Sequence, residues 1–219
     1  MRDNRASEWR LVDDERRDIV AFFRSLTPAD WETLSLCSGW RIKDVAAHLL
    51  IDEPVQAGML QSVLPMLVRG DFSVERANAR WVEQNRQRTS ESITKCFLED
   101  NQKRVGILGH VLGPGVALRA LVIHHQDMRR PLHRSRDIPP ERLLATLNAL
   151  ITWKGSISVG SRDRARELRF RALDVEWSHG DGPDVCGPGE AIIMGLAGRP
   201  AALGDLRGAG KAILQSRLP

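Results

Sequence analysis

Tyrosine is absent from this chain of 219 residues, and aromatic residues make up only 5% of it. Proteins that bind single-stranded nucleic acid stack bases on aromatic side chains placed among basic ones. The one compact basic cluster, residues 129–136, contains no aromatic residue, and elsewhere acidic and basic residues are interleaved. The net charge of +4 therefore does not indicate a nucleic-acid partner.

Cysteines and long apolar runs are also scarce. The three cysteines, Cys37, Cys96 and Cys186, are far apart and form no Cys-x-x-Cys pair, which argues against a disulfide framework and a cysteine-based zinc knot. The sequence contains no run of about 18 apolar residues, the length that would predict a membrane span. The charged N-terminal stretch does not resemble a secretory signal. We therefore expect a cytoplasmic protein with no membrane partner.

Helical periodicity dominates the first 155 residues. Apolar residues recur every three or four positions over 9–26 and 42–67, and Thr27-Pro28 is typical of a helix start. Further helices are predicted after Asp71, over 92–108, from 116 to a stop at Pro131, and from Pro139-Pro140 through 151. Residues 1–155 are thus predicted to form an antiparallel helical bundle.

The pattern changes after Gly155. Residues 168–177 alternate apolar and polar side chains, which predicts one strand, and the glycine-rich segment 180–183 predicts a turn. A short returning strand at 184–186 and a helix over 190–196 follow. Residues 160–219 are therefore predicted to form a small α+β domain.

Two of the predicted bundle helices carry histidines. His48 lies on one, and His124 lies on the other, three residues before Asp127 on the same helical face. Imidazoles bind zinc and similar divalent ions, so His48, His124 and Asp127 are candidate metal ligands. The histidines alternatively form ordinary hydrogen bonds in the bundle, and Asp127 alternatively pairs with Arg130. His125, about 100° around the helix from His124, is expected to face solvent.

Several segments together resemble the mycothiol-dependent maleylpyruvate isomerase family, whose members are DinB-like bundles. The N-terminal segments are Leu26-Thr-Pro-Ala-Asp-Trp31, Cys37-Ser-Gly-Trp40 and Asp44-Val-Ala-Ala-His48-Leu49. The resemblance continues in His124-His-Gln-Asp127 and in the C-terminal segments Gly187-Pro188, Gly198-Arg-Pro200 and Leu206-Arg-Gly208.

The resemblance implies a mainly α protein, with a DinB-like four-helix bundle followed by a small α+β C-terminal domain. It implies a divalent metal, usually zinc, held by a histidine and a later Glu-x-x-x-His pair. His48 matches the first ligand and His124 the last, whereas Ala120 stands at the glutamate position. The candidate substitutes for the missing carboxylate are Asp127, one turn from His124, and Asp52, one turn from His48.

The resemblance also implies a function. The expected activity is that of a metal-dependent and mycothiol-dependent isomerase or thiol transferase with a degenerate metal site, acting on a small-molecule thiol and substrate in actinobacterial cytoplasm. A metal-bound thiol becomes a thiolate, which is the nucleophilic form. Arg199 is the candidate catalytic residue that meets a substrate carboxylate, with Arg217 next. Arg199 is alternatively an ordinary arginine at a helix C-terminus that faces solvent. The alternative is a non-catalytic DinB-like protein that binds a ligand or partner and has lost its metal. The substrate, the metal's identity and the oligomeric state stay open.

Overall fold

The computed structural model describes residues 2–52, 83, 86–100, 113–156 and 159–219, without the side chains of 2–5, 51–52 and 99–100. This part of the chain is mainly helical, as predicted, and has one small three-stranded sheet near its C-terminal end. The expected helical pattern over 53–67, almost all of the expected helix after Asp71 and residues 101–108 lie outside the described residues.

Six helices begin within two residues of a predicted position, whereas the first begins seven residues before the predicted segment 9–26, and Trp153–Ser156 and Ser161–Ala165 have no predicted counterpart. In chain order the helices are α1 (Arg2–Arg24), α2 (Pro28–Glu32), α3 (Ile42–His48), α4 (Ser90–Asp100), α5 (Pro114–Arg129), α6 (Pro140–Ile151), α7 (Trp153–Ser156), α8 (Ser161–Ala165), α9 (Gly189–Leu196) and α10 (Lys211–Ser216). Short 3₁₀ helices span Leu49–Asp52, Arg130–Leu132 and Pro200–Asp205. No helix in the described part of the chain is both long and apolar enough to span a membrane.

The start of α2 shows why the local prediction worked. The backbone N–H of Asp30 donates to Thr27 Oγ1 at 3.2 Å, and the N–H of Thr27 donates back to Asp30 Oδ2 at 2.8 Å. Pro28 occupies the first helical turn, where its missing N–H costs nothing. This reciprocal cap satisfies two backbone donors, so the helix begins where the sequence predicts.

The described residues group into two compact units. The first unit contains those of Met1–Val12, Leu112–Gln126 and Ser135–Pro219, and the second contains those of Asp13–Val111 and Asp127–Arg134. Helix α5 runs without a break through positions 126 and 127. The domain boundary predicted between residues 155 and 160 stays a prediction.

Each unit has its own apolar core. In the second unit, the ring of Phe23 lies 5.1 Å from the ring of Trp31 and 5.5 Å from that of Phe97, in tilted and edge-on contacts that aromatic pairs prefer. In the first unit, fully buried side chains come from several elements, including Leu118, Leu147, Leu168, Phe170 and Ile192.

The sheet corrects one prediction. Residues 168–177 are not one strand, because only Arg169–Ala172 (β1) remains extended before the chain turns into β2 (Ser178–His179). The amide of Ala172 donates to Trp177 O at 3.0 Å, which closes that turn, and Leu173 is 49% exposed. The apolar alternation therefore continues through a hairpin turn rather than through a strand.

The third strand, β3 (Asp184–Gly187), pairs with the opposite edge of β1 and runs parallel to it. Between β2 and β3 the chain passes close to the start of β1, where Gly180 has φ +84° and a Cβ on it would lie 2.2 Å from Leu168 O. Only glycine fits there. Along the other edge of β3, the N–H and C=O of Cys186 exchange hydrogen bonds with the backbone of Arg207, at 2.7 and 2.8 Å.

Candidate metal centre

The site begins with the loop that joins α2 to α3. An isolated antiparallel bridge pairs Leu34 with Arg41, and the N–H of Ser35 donates to Trp40 O at 2.8 Å. The N–H of Trp40 donates to Cys37 O at 3.0 Å, which closes a tight turn inside the loop. The backbone around Cys37 is therefore fixed by hydrogen bonds at the base and within the loop.

The side chain of Ser35 fixes the same loop from within. Its hydroxyl accepts a hydrogen bond from the N–H of Cys37 at 3.1 Å and donates to Trp40 O at 2.9 Å. Gly39 completes the turn with φ +75°, in the left-handed region that favours glycine. These bonds explain why the Cys-Ser-Gly-Trp stretch forms a defined loop that presents one thiol.

The thiol meets the C-terminal part of α5. Cys37 Sγ lies 3.1 Å from Asp127 Oδ2 and donates to it, and the backbone N–H of Leu36 donates to Asp127 O at 3.0 Å. Asp127 is fully buried. A buried carboxylate requires polar partners, and the thiol is one of them. Two contacts thus hold the loop against this turn of α5.

His124 precedes Asp127 by three residues on the same helix, so the two side chains share a face. One ligand atom each from Cys37, His124 and Asp127 lies within 4.8 Å of the other two. Thiolate, imidazole and carboxylate are the ligand types that zinc uses in proteins. The donor set of this cluster, defined here as Cys37, His124 and Asp127, therefore fits a divalent metal in chemical type and spacing.

The cluster contains two of the residues predicted from the sequence, His124 and Asp127. Ala120 lies one turn before His124 on α5 and offers no ligand atom. The sequence did not predict Cys37 as a ligand, because no spacing along the chain relates it to His124 or Asp127. The available signal was the place of Cys37 at the start of the Cys-x-Gly-Trp motif.

His48 lies in the second unit. It is the last residue of α3, is half-buried, and its ring stands edge-on to the ring of Trp40 at 5.3 Å between centroids. Since Trp40 closes the Cys37 loop, one residue both shapes that loop and packs against the predicted ligand.

An ion pair fixes the start of α3. The carboxylate of Asp44, which is 2% exposed, accepts from Arg41 three times: from Nε at 3.0 Å, from Nη2 at 3.0 Å and from the backbone N–H at 2.9 Å. Burial raises the pKa of Asp44, but the hydrogen bonds from Arg41 outweigh it and hold that pKa below its usual value. Asp44 is therefore ionised and anchors the helix that carries His48.

His125 contradicts the sequence prediction, because it is fully buried rather than solvent-facing. Helix α5 buries almost all of its residues from Leu121 to Met128, with His124 the half-buried exception. A helix covered on most sides leaves little solvent-facing surface for polar residues. The neighbouring Gln126 is also buried, and its amide donates to Glu190 Oε1 at 2.8 Å.

Arg199 follows the C-terminus of α9. Its Nη1 donates to Ala197 O at 2.9 Å, and Arg164 Nη1 donates to Leu196 O at 3.1 Å. Both guanidinium groups thus satisfy carbonyls at a helix end, where cations are favoured. Burial and then the charge of Arg199 lower the pKa of Arg164. Arg217 Nη1 donates to Arg164 O at 2.9 Å, so three arginines meet in this part of the first unit.

Fold and site together define a class: a mainly helical protein with a small sheet and a thiol, imidazole and carboxylate cluster at one end of a helix. Residues 12–111 match the family model described as the mycothiol maleylpyruvate isomerase N-terminal domain. This match covers just under half of the chain and supports the resemblance seen in its N-terminal segments.

The fold comparison agrees with the family match. Two crystal structures of mycothiol-dependent maleylpyruvate isomerase, one of them a histidine-to-alanine mutant, match with a TM-score of 0.58. Each is 16% identical to this chain, with 95% of this chain and 93% of the other covered. The likeness therefore shows a shared fold over nearly the whole chain. No curated protein sequence matches at a significant level.

Proposed function

We propose that the protein is a mycothiol-dependent isomerase or thiol transferase of the maleylpyruvate isomerase type that requires a divalent metal, with zinc as the first choice. His124 and Asp127 hold the metal, with His48 as a further ligand. The observation that carries this proposal is the Cys37, His124 and Asp127 cluster, whose ligand atoms lie within 4.8 Å of one another. The family's N-terminal domain and the shared fold support it.

His124 and Asp127 would have different roles in binding the metal. His124 supplies a neutral imidazole, and Asp127 supplies a negative charge that offsets part of the charge of a divalent ion. A bound ion lowers the pKa of a thiol, so that mycothiol is present as the nucleophilic thiolate at neutral pH. The buried position of Asp127 keeps its carboxylate next to His124 and away from bulk water.

Arg199 is proposed to bind the carboxylate of the substrate. A guanidinium is planar and permanently charged, which suits a carboxylate better than an ammonium does. The hydrogen bond to Ala197 O holds the Arg199 side chain at the end of α9. This role predicts that Arg199→Lys raises KM for a carboxylate substrate more than it lowers kcat.

Metal analysis tests the proposal directly. The full chain, purified without chelator and reconstituted with zinc, should retain near-stoichiometric metal after desalting, and His124→Ala should retain far less. His133→Asn is the matched control, because His133 is exposed with φ 53° and asparagine tolerates that left-handed backbone. Wild-type protein that retains only traces of zinc, nickel or manganese would refute the metal-dependent function.

Ala120 favours a second candidate function, a non-catalytic protein that binds a ligand or partner without metal. The residue lies where the resemblance places a ligating glutamate, and alanine has no donor atom. This function predicts that metal is absent and that His48→Ala leaves ligand or partner binding unchanged. Loss of binding on chelation would exclude it.

A further inference from the structure

The geometry points to Cys37 as a metal ligand that replaces the carboxylate missing at Ala120. This inference rests on the proposed function and deepens it. It assigns the metal to Cys37, His124 and Asp127, so Cys37 takes the place that the proposed function gives to His48. The sequence motifs alone do not contain this set.

The first argument is position. Cys37 Sγ already contacts Asp127 Oδ2 at 3.1 Å, and Asp127 is held to the same loop through its carbonyl. The loop is fixed by Ser35 on one side and by the Trp40 turn on the other. A sulfur atom held this way needs little rearrangement to bind an ion that Asp127 also binds.

The second argument is charge. A site of one imidazole and one carboxylate leaves a divalent ion with a net charge of +1, and alanine at position 120 adds nothing. A cysteine thiolate removes that remaining charge. When the ion binds, the thiol S–H bond breaks, the sulfur lone pair binds the metal, and the proton leaves to water. The Asp127 oxygen that accepted the thiol hydrogen bond then turns to the same ion.

The third argument is ligand type. Three protein ligands with an open fourth position are typical of catalytic zinc, and the open position is where an exogenous thiol binds. Thiolate is a soft ligand that favours zinc and cobalt over magnesium and manganese. With Cys37 as a ligand, the protein should bind zinc and cobalt more tightly than magnesium and manganese.

Cobalt substitution of the full chain tests the inference. A thiolate bound to Co²⁺ gives a sulfur-to-metal charge-transfer absorption in the near ultraviolet, which imidazole and carboxylate ligands do not give. We expect the band in the wild-type protein, its loss in Cys37→Ser, and a weakening of zinc binding in that variant by more than about tenfold. Cys96→Ser is the matched control, since Cys96 is another half-buried thiol of the same unit, and it should keep the band.

A second measurement avoids any dependence on the folding of the variant. In wild-type protein, zinc should slow alkylation of Cys37 but not of Cys96, as followed by mass spectrometry. Metal that binds without the charge-transfer band, or without protecting Cys37, overturns the inference while the proposed function stands. A band that persists in Cys37→Ser overturns it as well. Wild-type protein that binds no metal overturns both.

Discussion

Removing the Asp44 carboxylate tests how the start of α3, and with it His48, is held in place. The Asp44 side chain is 2% exposed and accepts three hydrogen bonds of 2.9 to 3.0 Å from Arg41. The Asp44→Ala substitution removes all three. The replacement also leaves the Arg41 backbone N–H at the helix start without its acceptor.

The size of the effect follows from what happens to Arg41. Breaking a fully buried ion pair costs about 3–5 kcal/mol, because the remaining charge is stranded. Arg41 is 28% exposed and keeps an ion pair with Glu32 at 2.6 Å, so its charge is not stranded and the cost lies near the lower end. We expect a loss of about 3 kcal/mol of unfolding free energy, a change of more than about a hundredfold in the unfolding constant.

Urea unfolding followed by tryptophan fluorescence gives the measurement, since the chain has 6 tryptophans. Asp14→Asn is the matched control. Asp14 pairs with Arg17 across the same three-residue spacing in the same unit, but at 39% and 65% exposure. That exposed pair should contribute less than about 1 kcal/mol. A loss below about 1 kcal/mol in Asp44→Ala would refute the assignment of Asp44 as an anchor of α3.

The pH dependence provides a second check on the same residue. Because the pKa of Asp44 is lowered in the folded state, its stabilisation is present above about pH 4, the ordinary value in an unfolded chain. It is lost as the pH falls through the lower folded value. The difference in unfolding free energy between wild type and Asp44→Asn should therefore narrow below about pH 4. A constant difference would mean that Asp44 is not ionised in the folded protein.

Three further changes have defined outcomes. Ala120→Glu adds a carboxylate one turn from His124 and should raise zinc affinity in a competition assay, whereas unchanged affinity would show that position 120 does not face the metal. Thr27→Ala removes the cap of α2 and should cost about 1 kcal/mol, while Thr27→Ser should cost little. Gly180→Ala places a Cβ 2.2 Å from Leu168 O at φ +84° and should cost about 2–3 kcal/mol, and a melting temperature equal to wild type would contradict this.

The sequence predicted those parts of the fold that depend on local chemistry. The starts of α2 and α6 follow from prolines in a first helical turn, and α9 lies within one residue of its predicted start. The prediction of a single strand over 168–177 was wrong, because alternation of apolar and polar residues does not reveal where a hairpin turns. Just after Leu173, Asp174 Oδ1 accepts a hydrogen bond from the N–H of Gly189 at 2.8 Å, a contact with a later part of the chain that no local pattern indicates.

The candidate site, like the fold, was predictable from the sequence only where its residues lie on one helix. His124 and Asp127 share a helix, so their spacing alone predicted that they lie together. Cys37 is 90 positions away from Asp127, and no local pattern indicates that contact. The burial of His125 also depends on what packs around α5 rather than on the helix itself, which is why the expected exposed position was wrong.

The pairing of Cys186 with Arg207 has a consequence for self-association. Residues 207–210 occupy the edge of β3 that faces away from β1, since Gly210 N–H also donates to Asp184 O at 2.9 Å. A strand edge without such cover is a template for pairing with another molecule. A chain shortened before Arg207 would open this edge, and intermolecular β-pairing followed by aggregation would then compete with the native fold.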